Sequence, residues 1–325
     1  MQEDRKVDEE KTRIFSDPLL IWFIVHGRVL PWRGPAVMPY EVVVSEFMLQ
    51  QTQVTRVIEK YKEFLGLFPT IFDLARADAS SVVLSWSGLG YNRRALLLHR
   101  FAQEVVSHFE GVVPSDSSVI STLPGVGPYM QGSILSFAFN LSEPAVDVNV
   151  RRIFLRFFSG RDVGLPLSKV EERELWSLVR ECIPDGRSHD FHSALMDFGS
   201  TVCLRDRPLC MSCPLSLECK FAPLYKTDGK QLMVISKKRL EQGLAENGKH
   251  IPNRIFRGRI VEFARGNSGE IRFFDLGCAV KKDFALSEME WLRGLCVKLA
   301  SEGLIRFREI ESMETDEGRI VEILI

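Results

Sequence analysis

The stretch Leu123-Pro-Gly-Val-Gly-Pro-Tyr129 decides how the middle of this 325-residue chain folds. Pro124, Gly125 and Gly127 interrupt a helix too strongly for the stretch to be helical, whereas the apolar residues 130–139 predict one. The sequence therefore predicts a tight turn that leads into a helix N-terminus. Backbone N–H groups that can approach closely, together with the helix dipole, favour a bound phosphate, although a plain turn between helices has the same pattern.

An acidic residue, Asp147, follows this predicted helix and precedes Asn149 and Arg151 on the next one. Asp is a favoured N-cap residue, so Asp147 is expected to cap that helix. A carboxylate at a helix N-terminus is also expected to stay ionised, which suits the stabilisation of a developing positive charge.

Residues 39–64 give the clearest helical signal in the chain, with apolar residues near helical spacing. Offsets of four and seven residues place Gln50 and Gln53 on the same stripe as Glu46. Apolar neighbours would raise the pKa of the Glu46 carboxyl, so in a cleft it could carry a proton near neutral pH and act as a general acid. The alternative is a Glu on a solvated helix face.

Glycines flank an aromatic residue in Gly88-Leu-Gly-Tyr-Asn-Arg-Arg94. Tyr91 at such a turn is suited to stacking on a nucleobase, and the alternative is ordinary packing.

Four cysteines lie within one short segment, as Cys203-x6-Cys210-x2-Cys213-x5-Cys219. Four local thiols indicate a metal centre, and by spacing alone both zinc and an iron–sulfur cluster stay open. The other three cysteines of the chain are expected to be small buried hydrophobic residues.

Composition describes an ordinary globular protein of two or three domains, with 45% hydrophobic residues and a formal net charge of −1. Such a charge gives no hint of a nucleic-acid partner, although Arg93/Arg94 and Arg151/Arg152 could form a local basic strip. Without an apolar run of about 18 residues or a secretory signal, a cytoplasmic location is expected. Seven cysteines in such a chain argue against a disulfide framework.

The segment 121–152 resembles the helix-hairpin-helix of the endonuclease III superfamily of DNA glycosylases. The resemblance implies that Leu123, Gly125 and Gly127 grip a DNA phosphate and that Asp147 is catalytic. Family members that also cut the strand carry a Lys where this chain has Tyr129. A phenol cannot form a Schiff base, so the resemblance implies base removal without strand cleavage.

A closer resemblance, to adenine DNA glycosylases of the MutY type, is carried by Leu30-Pro-Trp-Arg33 and by Ser45-Glu-Phe-Met-Leu-Gln-Gln-Thr-Gln-Val54. It implies that Glu46 is the catalytic acid and that Arg33 helps to hold the base. Gln50, Gln51 and Tyr91 would then probe the duplex.

The cysteine spacing is similar to the 4Fe-4S loop of the same superfamily, so Cys203, Cys210, Cys213 and Cys219 are the implied cluster ligands. The implied partner is double-stranded DNA with a mismatch or an oxidised guanine, bound by a single copy of the chain.

Two departures from the MutY pattern leave alternatives open. Ser193 stands where the family usually has Gln or Glu to read the adenine edge, and Asp147-Val-Asn149 also resembles thymine mismatch glycosylases. Thymine or uracil opposite guanine is therefore the second candidate substrate. A non-catalytic iron–sulfur DNA-binding protein is a third reading.

The expected architecture is mainly α, with a two-lobed helix-hairpin-helix glycosylase domain. The expected segments are a disordered N-terminus at 1–14, the glycosylase domain at 15–222, a polar linker at 223–250 and a small α+β domain at 251–325. The C-terminal order of helix, strand, helices and two strands suggests a winged helix instead of the Nudix-like domain usual in the family. Such a module could bind DNA or a partner, or pack against the catalytic body.

Overall fold

The computed structural model describes residues 2–162, 166–228, 241–267, 269–310 and 320–325, with side chains from residue 13 onward except 226–228. The described chain is mainly helical, as predicted, with two small sheets. The helices are α1 Gln2–His26, α2 Pro39–Leu49, α3 Val54–Leu67, α4 Ile71–Arg76, α5 Ala79–Ser85, α6 Arg93–Phe109, α7 Ser117–Ile120, α8 Pro128–Phe139, α9 Val148–Phe154, α10 Lys169–Glu181, α11 Ser188–Thr201, α12 Phe221–Asp228, α13 Asn253–Gly266, α14 Phe273–Val280 and α15 Met289–Ser301. The strands are β1 Gly243–Glu246, β2 Lys249–Pro252, β3 Gly269–Arg272, β4 Arg306–Ile310 and β5 Ile320–Leu324.

The chain divides into two compact units, and the boundary falls inside α2. Unit 1 contains residues 1–46 and 113–238, and unit 2 contains residues 47–112 and 239–325. Across the part of the chain that is described, no helix has both the length and the apolar character needed to cross a bilayer.

Aromatic side chains form the centre of unit 1. The ring of Phe15 on α1 lies 4.8 Å from that of Phe154 and 5.0 Å from that of Phe157, and it meets Phe191 of α11 edge-on. Burying each ring contributes about 2 to 3 kcal/mol. This core fixes α11, which carries Ser193, against α1 and against α9, which Asp147 caps.

The first helix begins earlier than the sequence suggests. The sequence predicts disorder for residues 1–14, but α1 runs from Gln2 through Pro18 to His26. A proline removes one backbone donor and disfavours an interior position. Here the buried residues Phe15, Leu19 and Leu20 on either side of it hold the helix against the core of unit 1.

The single helix predicted for residues 39–64 is wrong, because the chain breaks into α2 and α3 at residues 50–53. Gln51 adopts a left-handed conformation with φ of 57°, which a continuing helix does not allow. The guanidinium of Arg94 donates to the carbonyls of Phe47 and Met48 at 2.8 and 2.7 Å. These bonds satisfy two of the carbonyls that the end of α2 leaves without helical partners. Gln50 therefore lies in a turn and not on the stripe of Glu46.

The C-terminal module, residues 241–325 where described, contains the predicted order of elements plus α14, which the sequence reading missed. Its antiparallel sheet has the order β3-β5-β4, with Ile271 opposite Val321 and Phe307 opposite Ile323. The expected strand at 270–274 is shorter and continues into α14, whose Phe273 and Leu276 are buried. The module is thus a small α+β unit, and its assignment as a winged helix stays a prediction.

The segment 223–250, expected as a polar linker without strands, contains the end of α12 and the hairpin β1–β2. Residues 229–240 lie outside the described residues. Asn247 and Gly248 both have positive φ, as a two-residue hairpin turn of Asn-Gly type requires. This Asn-Gly pair was the signal for a hairpin that the sequence reading missed.

Within unit 2 the C-terminal module packs against residues 47–112. Arg265 of α13 donates to the carbonyl of Val83 at 2.7 Å and to the side chain of Asn92 at 3.2 Å. Ser87 donates to Glu262 of the same helix. These contacts show that the module packs against residues 47–112, which belong to the predicted glycosylase domain.

Candidate active site

Glu46 is a buried carboxyl in the last turns of α2, with only 4% of its surface exposed. Burial raises the pKa of Glu46 to about 7, although hydrogen bonds from Ser133 and Tyr129 and the charge of Arg33 lower it in part. The nearby charge of Asp147 raises it further. Near neutral pH a large fraction of this side chain therefore carries a proton, as a general acid requires. The alternative of a solvated helix face is wrong.

Asp147 is the N-cap of α9, as predicted. Its carboxylate accepts from the backbone N–H groups of Asn149 and Val150, both at 2.8 Å, and from the side-chain amide of Asn149 at 2.8 Å. Burial raises the pKa of Asp147, and these donors offset the shift only in part. The position at a helix N-terminus therefore does not by itself keep Asp147 ionised, contrary to the expectation from the sequence, because burial acts in the opposite direction.

Tyr129 connects the glycine turn with both carboxyls. Its phenol donates to Oε2 of Glu46 at 3.4 Å. Burial, followed by the charges of Glu46 and Asp147, raises the pKa of Tyr129 well above its ordinary value, so the phenol stays protonated. Because both charges act on one phenol, Glu46 and Asp147 lie around a common position within unit 1.

The glycine turn has the predicted form. Gly125 has a φ of 81°, which favours glycine, and Val126 donates its N–H to the carbonyl of Leu123 at 3.1 Å. Gly127 is the N-cap of α8, and a Cβ at this position would meet nothing within 4 Å. Leu123 is buried and anchors the turn, whereas the backbone at Gly127 faces open space. The start of α8 can therefore accept an anion.

Arg33 is held rigidly, with its guanidinium bidentate on Asp197 of α11 at 2.9 and 3.0 Å. Arg28 donates to the same carboxylate through its backbone N–H and its side chain, both at 2.8 Å. Although burial raises the pKa of Asp197, the hydrogen bonds from Arg33 and Arg28 lower it overall. Arg33 thus presents a fixed positive charge near Glu46.

Ser193 lies one turn before Asp197 and is fully buried. Its carbonyl accepts from Arg33 at 3.4 Å, while its hydroxyl has no hydrogen-bond partner among the described residues. An unpartnered buried hydroxyl usually costs free energy, about 1 to 3 kcal/mol, unless a ligand or water completes it.

Two residues of this site escaped the sequence reading. Asp197 lies in the segment Leu195-Met-Asp-Phe198, and nothing in the sequence indicates that its carboxylate binds two arginines. His192 is fully buried, accepts from the N–H of Ala145 at Nε2 (3.0 Å) and donates to the carbonyl of Ser188 at 2.9 Å. It thereby holds the backbone two residues before Asp147. Burial lowers the pKa of His192 to about 4, so the imidazole is neutral.

The cysteine segment is joined to Asp147 through hydrogen bonds. Arg152 donates to Asn149 at 2.9 Å, to the carbonyl of Gly199 at 2.6 Å and to that of Cys203 at 2.8 Å. Asn149 in turn donates to Asp147. One guanidinium therefore connects the α9 N-terminus, the end of α11 and the first cysteine.

Two of the four cysteines contact Arg156, whose side chain is buried. Its guanidinium donates to Sγ of Cys203 at 3.6 Å, and Sγ of Cys219 donates to its carbonyl at 3.6 Å. Burial, and then the neighbouring thiols of Cys203, Cys219 and Cys210, raise the pKa of Cys213 to about 12. In the described part of the chain, no three His, Cys, Asp or Glu side chains are grouped tightly enough to hold a metal ion. Of the other cysteines, Cys182 and Cys296 are buried as expected, but Cys278 is exposed.

The remaining predicted residues belong to unit 2. Gln50 and Gln51 lie in the turn after α2, and Tyr91 lies in the loop before α6 with a φ of 47° and 43% of its surface exposed. These three side chains line one groove within that unit.

Comparisons with known proteins find a protein family and several relatives that match part of the chain. Residues 44–181 match the family described as HhH-GPD superfamily base excision DNA repair protein. An adenine DNA glycosylase of Mycobacterium tuberculosis is 40% identical over 200 residues, which cover 61% of this chain and 64% of the relative. The human adenine DNA glycosylase is 38% identical over 222 residues, 66% of this chain and 40% of the relative. The chain spans less than two thirds of the length of the curated relatives it matches.

Among solved structures, a thermostable thymine-DNA glycosylase matches with a TM-score of 0.61 and 28% identity, over 66% of this chain and 98% of that one. An endonuclease III–DNA covalent intermediate matches with a TM-score of 0.56 and 21% identity, over 67% of this chain and 98% of that one, which indicates a shared fold. Residues 44–181 are thus the part of the chain that matches the HhH-GPD superfamily of base excision DNA repair proteins.

Proposed function

We propose that the protein is a DNA glycosylase that removes adenine mispaired with guanine or 8-oxoguanine and leaves an abasic site. The observation that carries this proposal is Glu46, a buried carboxyl with a pKa of about 7 that accepts a hydrogen bond from Tyr129 and lies within the influence of the charge of Asp147. Adenine glycosylases among the relatives, up to 40% identical, support adenine as the base.

In the proposed reaction the two carboxyls divide the work. Glu46 gives its proton to a ring nitrogen of the extruded adenine, so that the base leaves neutral when the bond to the sugar breaks. Asp147, fixed by three donors on α9, stabilises the cationic sugar. A water adds to the sugar carbon and loses its proton to a carboxylate, which completes the abasic site.

Tyr129 supports hydrolysis without strand cleavage. A protonated phenol hydrogen-bonded to Glu46 cannot form an imine with the sugar. The base-removal step therefore ends at the abasic site, and the phenol helps to orient the proton of Glu46.

Duplex binding would use both units. In unit 1, the backbone at Gly125 and Gly127 would hold a phosphate at the start of α8. In unit 2, Tyr91 and the amides of Gln50 and Gln51 would contact the distorted base pair. The open hydroxyl of Ser193 gives the site a polar group for the edge of the flipped base.

Cys203, Cys210, Cys213 and Cys219 would hold a 4Fe-4S cluster. Their chemistry fits, because four thiols within one loop are the donor set of such a cluster, and the thiols of Cys203, Cys219 and Cys210 lie near enough to Cys213 to raise its pKa. When bound, the cluster supplies structural cross-linking of the loop, and hydrolysis needs no electron from it. A single copy of the chain would bind one lesion.

A single-turnover assay on duplexes containing A:8-oxoguanine, A:G, T:G and U:G tests the substrate. We expect release of adenine only, and release of only thymine or uracil would overturn the adenine assignment in favour of the chemistry named for the thermostable thymine-DNA glycosylase. Glu46→Gln and Asp147→Asn should each abolish base release. Parent-like release by both variants would show that these two carboxyls do not carry the reaction. No release by the parent chain would leave a non-catalytic DNA-binding protein.

A further inference from the structure

A groove of about 1050 Å³ within unit 2 concentrates positive charge. Six arginines and two glutamates line it, in a chain whose formal net charge is −1. The arginines come from two separate parts of the sequence. Arg56 and Arg93 belong to the helical part at 47–112, whereas Arg254, Arg257 and Arg259 lie on α13 of the C-terminal module. The groove therefore attracts a strongly anionic partner.

The two parts of the groove meet at Tyr91. The guanidinium of Arg254 donates to the phenol oxygen of Tyr91 at 3.4 Å, and its Nε donates to Glu241 at 2.9 Å. The left-handed backbone of Tyr91 is uncommon for a residue with a Cβ. The C-terminal module thus fixes the direction in which this exposed aromatic ring points.

Ion pairs neutralise the groove only in part. The three groove arginines of α13 are paired, Arg254 with Glu241, Arg257 with Glu302 and Arg259 with Glu246. Arg56 and Arg94 donate to backbone carbonyls, which carry no net charge. Each guanidinium has five N–H donors, and a single carboxylate uses at most two of them in a bidentate pair, so paired arginines can still donate to phosphate oxygens.

The other groups in the groove favour nucleic acid over an acidic protein. An exposed aromatic ring can stack on a base, and the amides of Gln50, Gln51 and Gln53 present donors and acceptors for base edges. A nucleic acid offers all three matching groups: phosphates for the arginines, a base for the aromatic ring and base edges for the amides.

We propose that α13 of the C-terminal module forms part of the DNA-binding surface, where its arginines contact the phosphodiester backbone and Arg254 positions Tyr91. The choice of DNA over RNA rests on the proposed function. The inference extends that function, because the matched superfamily region ends at residue 181 and does not contain this helix.

Fluorescence anisotropy with an A:8-oxoguanine duplex tests the proposal in the full chain with Glu46→Gln, which keeps the substrate intact. We expect Arg254→Gln to weaken binding about fivefold to tenfold and to lower the salt slope by about one. Arg272→Gln is the matched control, because Arg272 lies on the same module, outside the groove, in an exposed pair with Asp275. Equal affinities and equal salt slopes for Arg254→Gln and Arg272→Gln would overturn the proposal.

A double-mutant cycle tests the positioning role of Arg254. If Arg254 acts partly through the phenol oxygen, Tyr91→Phe and Arg254→Gln should weaken mismatch binding by less in combination than the product of their separate effects. Independent effects would refute the positioning role. Arg254→Lys should restore the salt slope but not the coupling, because an ammonium lacks the planar fork.

The two proposals fail in different ways. If α13 does not contact DNA, Arg254→Gln binds like Arg272→Gln while the parent chain still releases adenine. If the glycosylase assignment is wrong, the parent chain releases no base from any of the four duplexes, and the difference between the two arginine variants persists.

Discussion

The side-chain amide of Asn149 donates to the carboxylate of Asp147 at 2.8 Å. It adds to two backbone donors, so the orientation of the carboxylate depends on one side chain two residues further along the chain. We expect Asn149→Ala to slow single-turnover base release roughly fivefold, since one positioning hydrogen bond of about 1 kcal/mol is lost. Asn267→Ala, which removes an amide bonded to the Phe263 carbonyl in unit 2, is the matched control and should keep the parent rate. A parent-like rate for Asn149→Ala would show that the backbone donors suffice.

The raised pKa of Glu46 predicts the pH dependence of catalysis. The acid is active when protonated, so the single-turnover rate should be flat below the pKa of about 7 and fall roughly tenfold per pH unit above it. A rate that rises with pH through this range would rule out Glu46 as the proton donor.

The same carboxyl should reduce stability at alkaline pH. The pKa of Glu46 in the folded chain, about 7, lies above the ordinary 4.5. The contribution of the protonated carboxyl to the free energy of unfolding is therefore fully present below pH 4.5 and is lost as pH rises through 7. We expect Glu46→Gln to be inactive yet more stable than the parent at pH 8, by an amount on the order of 3 kcal/mol. Urea unfolding at pH 5 and pH 8 measures this, and no gain at pH 8 would contradict the buried, ionised state.

His192 predicts a stability change of the opposite sign with pH. Its folded pKa of about 4 lies below the ordinary 6.5, so the unfolded chain binds more protons between these values and stability falls as pH drops from 6.5 to 4. His192→Gln should destabilise the protein at pH 7.5 by about 2 to 3 kcal/mol and flatten this dependence, because the two bonds to Ala145 and Ser188 cannot both be kept. Unfolding curves at both pH values test this, and an unchanged slope would assign the acid sensitivity to other groups.

A substitution at Gly127 can test DNA binding without disturbing the fold. Its φ of −95° is ordinary for any residue, and an added Cβ would meet nothing within 4 Å, so Gly127→Ala should fold like the parent. If a phosphate approaches this backbone, the methyl group should weaken duplex binding, about tenfold if a single phosphate contact is lost. Gly294→Ala on α15, also in open space, is the control and should bind normally. Unchanged affinity for Gly127→Ala would place the phosphate elsewhere.

Residues that are neighbours in the sequence are enough to predict much of the fold and of the site. The turn at Gly125, the helix after it and the capping role of Asp147 all follow from residues next to one another in the chain. The carboxyl of Glu46 could be singled out for the same reason, since its neighbours along the helix are apolar.

Contacts between distant parts of the sequence were not predictable. The end of α2 depends on Arg94, which lies more than 40 residues away, so helical periodicity alone extended the helix too far. The clamp of Asp197 on Arg33 and the support of Ala145 by His192 are likewise visible only in three dimensions. The place of the C-terminal module, beside Tyr91, depends on such long-range contacts as well.

The guanidinium of Arg152 donates hydrogen bonds both to the side chain of Asn149 and to the carbonyl of Cys203. Oxidative damage that displaces the thiol loop would therefore also disorder the support beneath the reactive carboxylate. Under the proposed function, a damaged molecule would lose activity and would not remove incorrect bases. Such a loss is less harmful to a genome than an active enzyme with relaxed specificity.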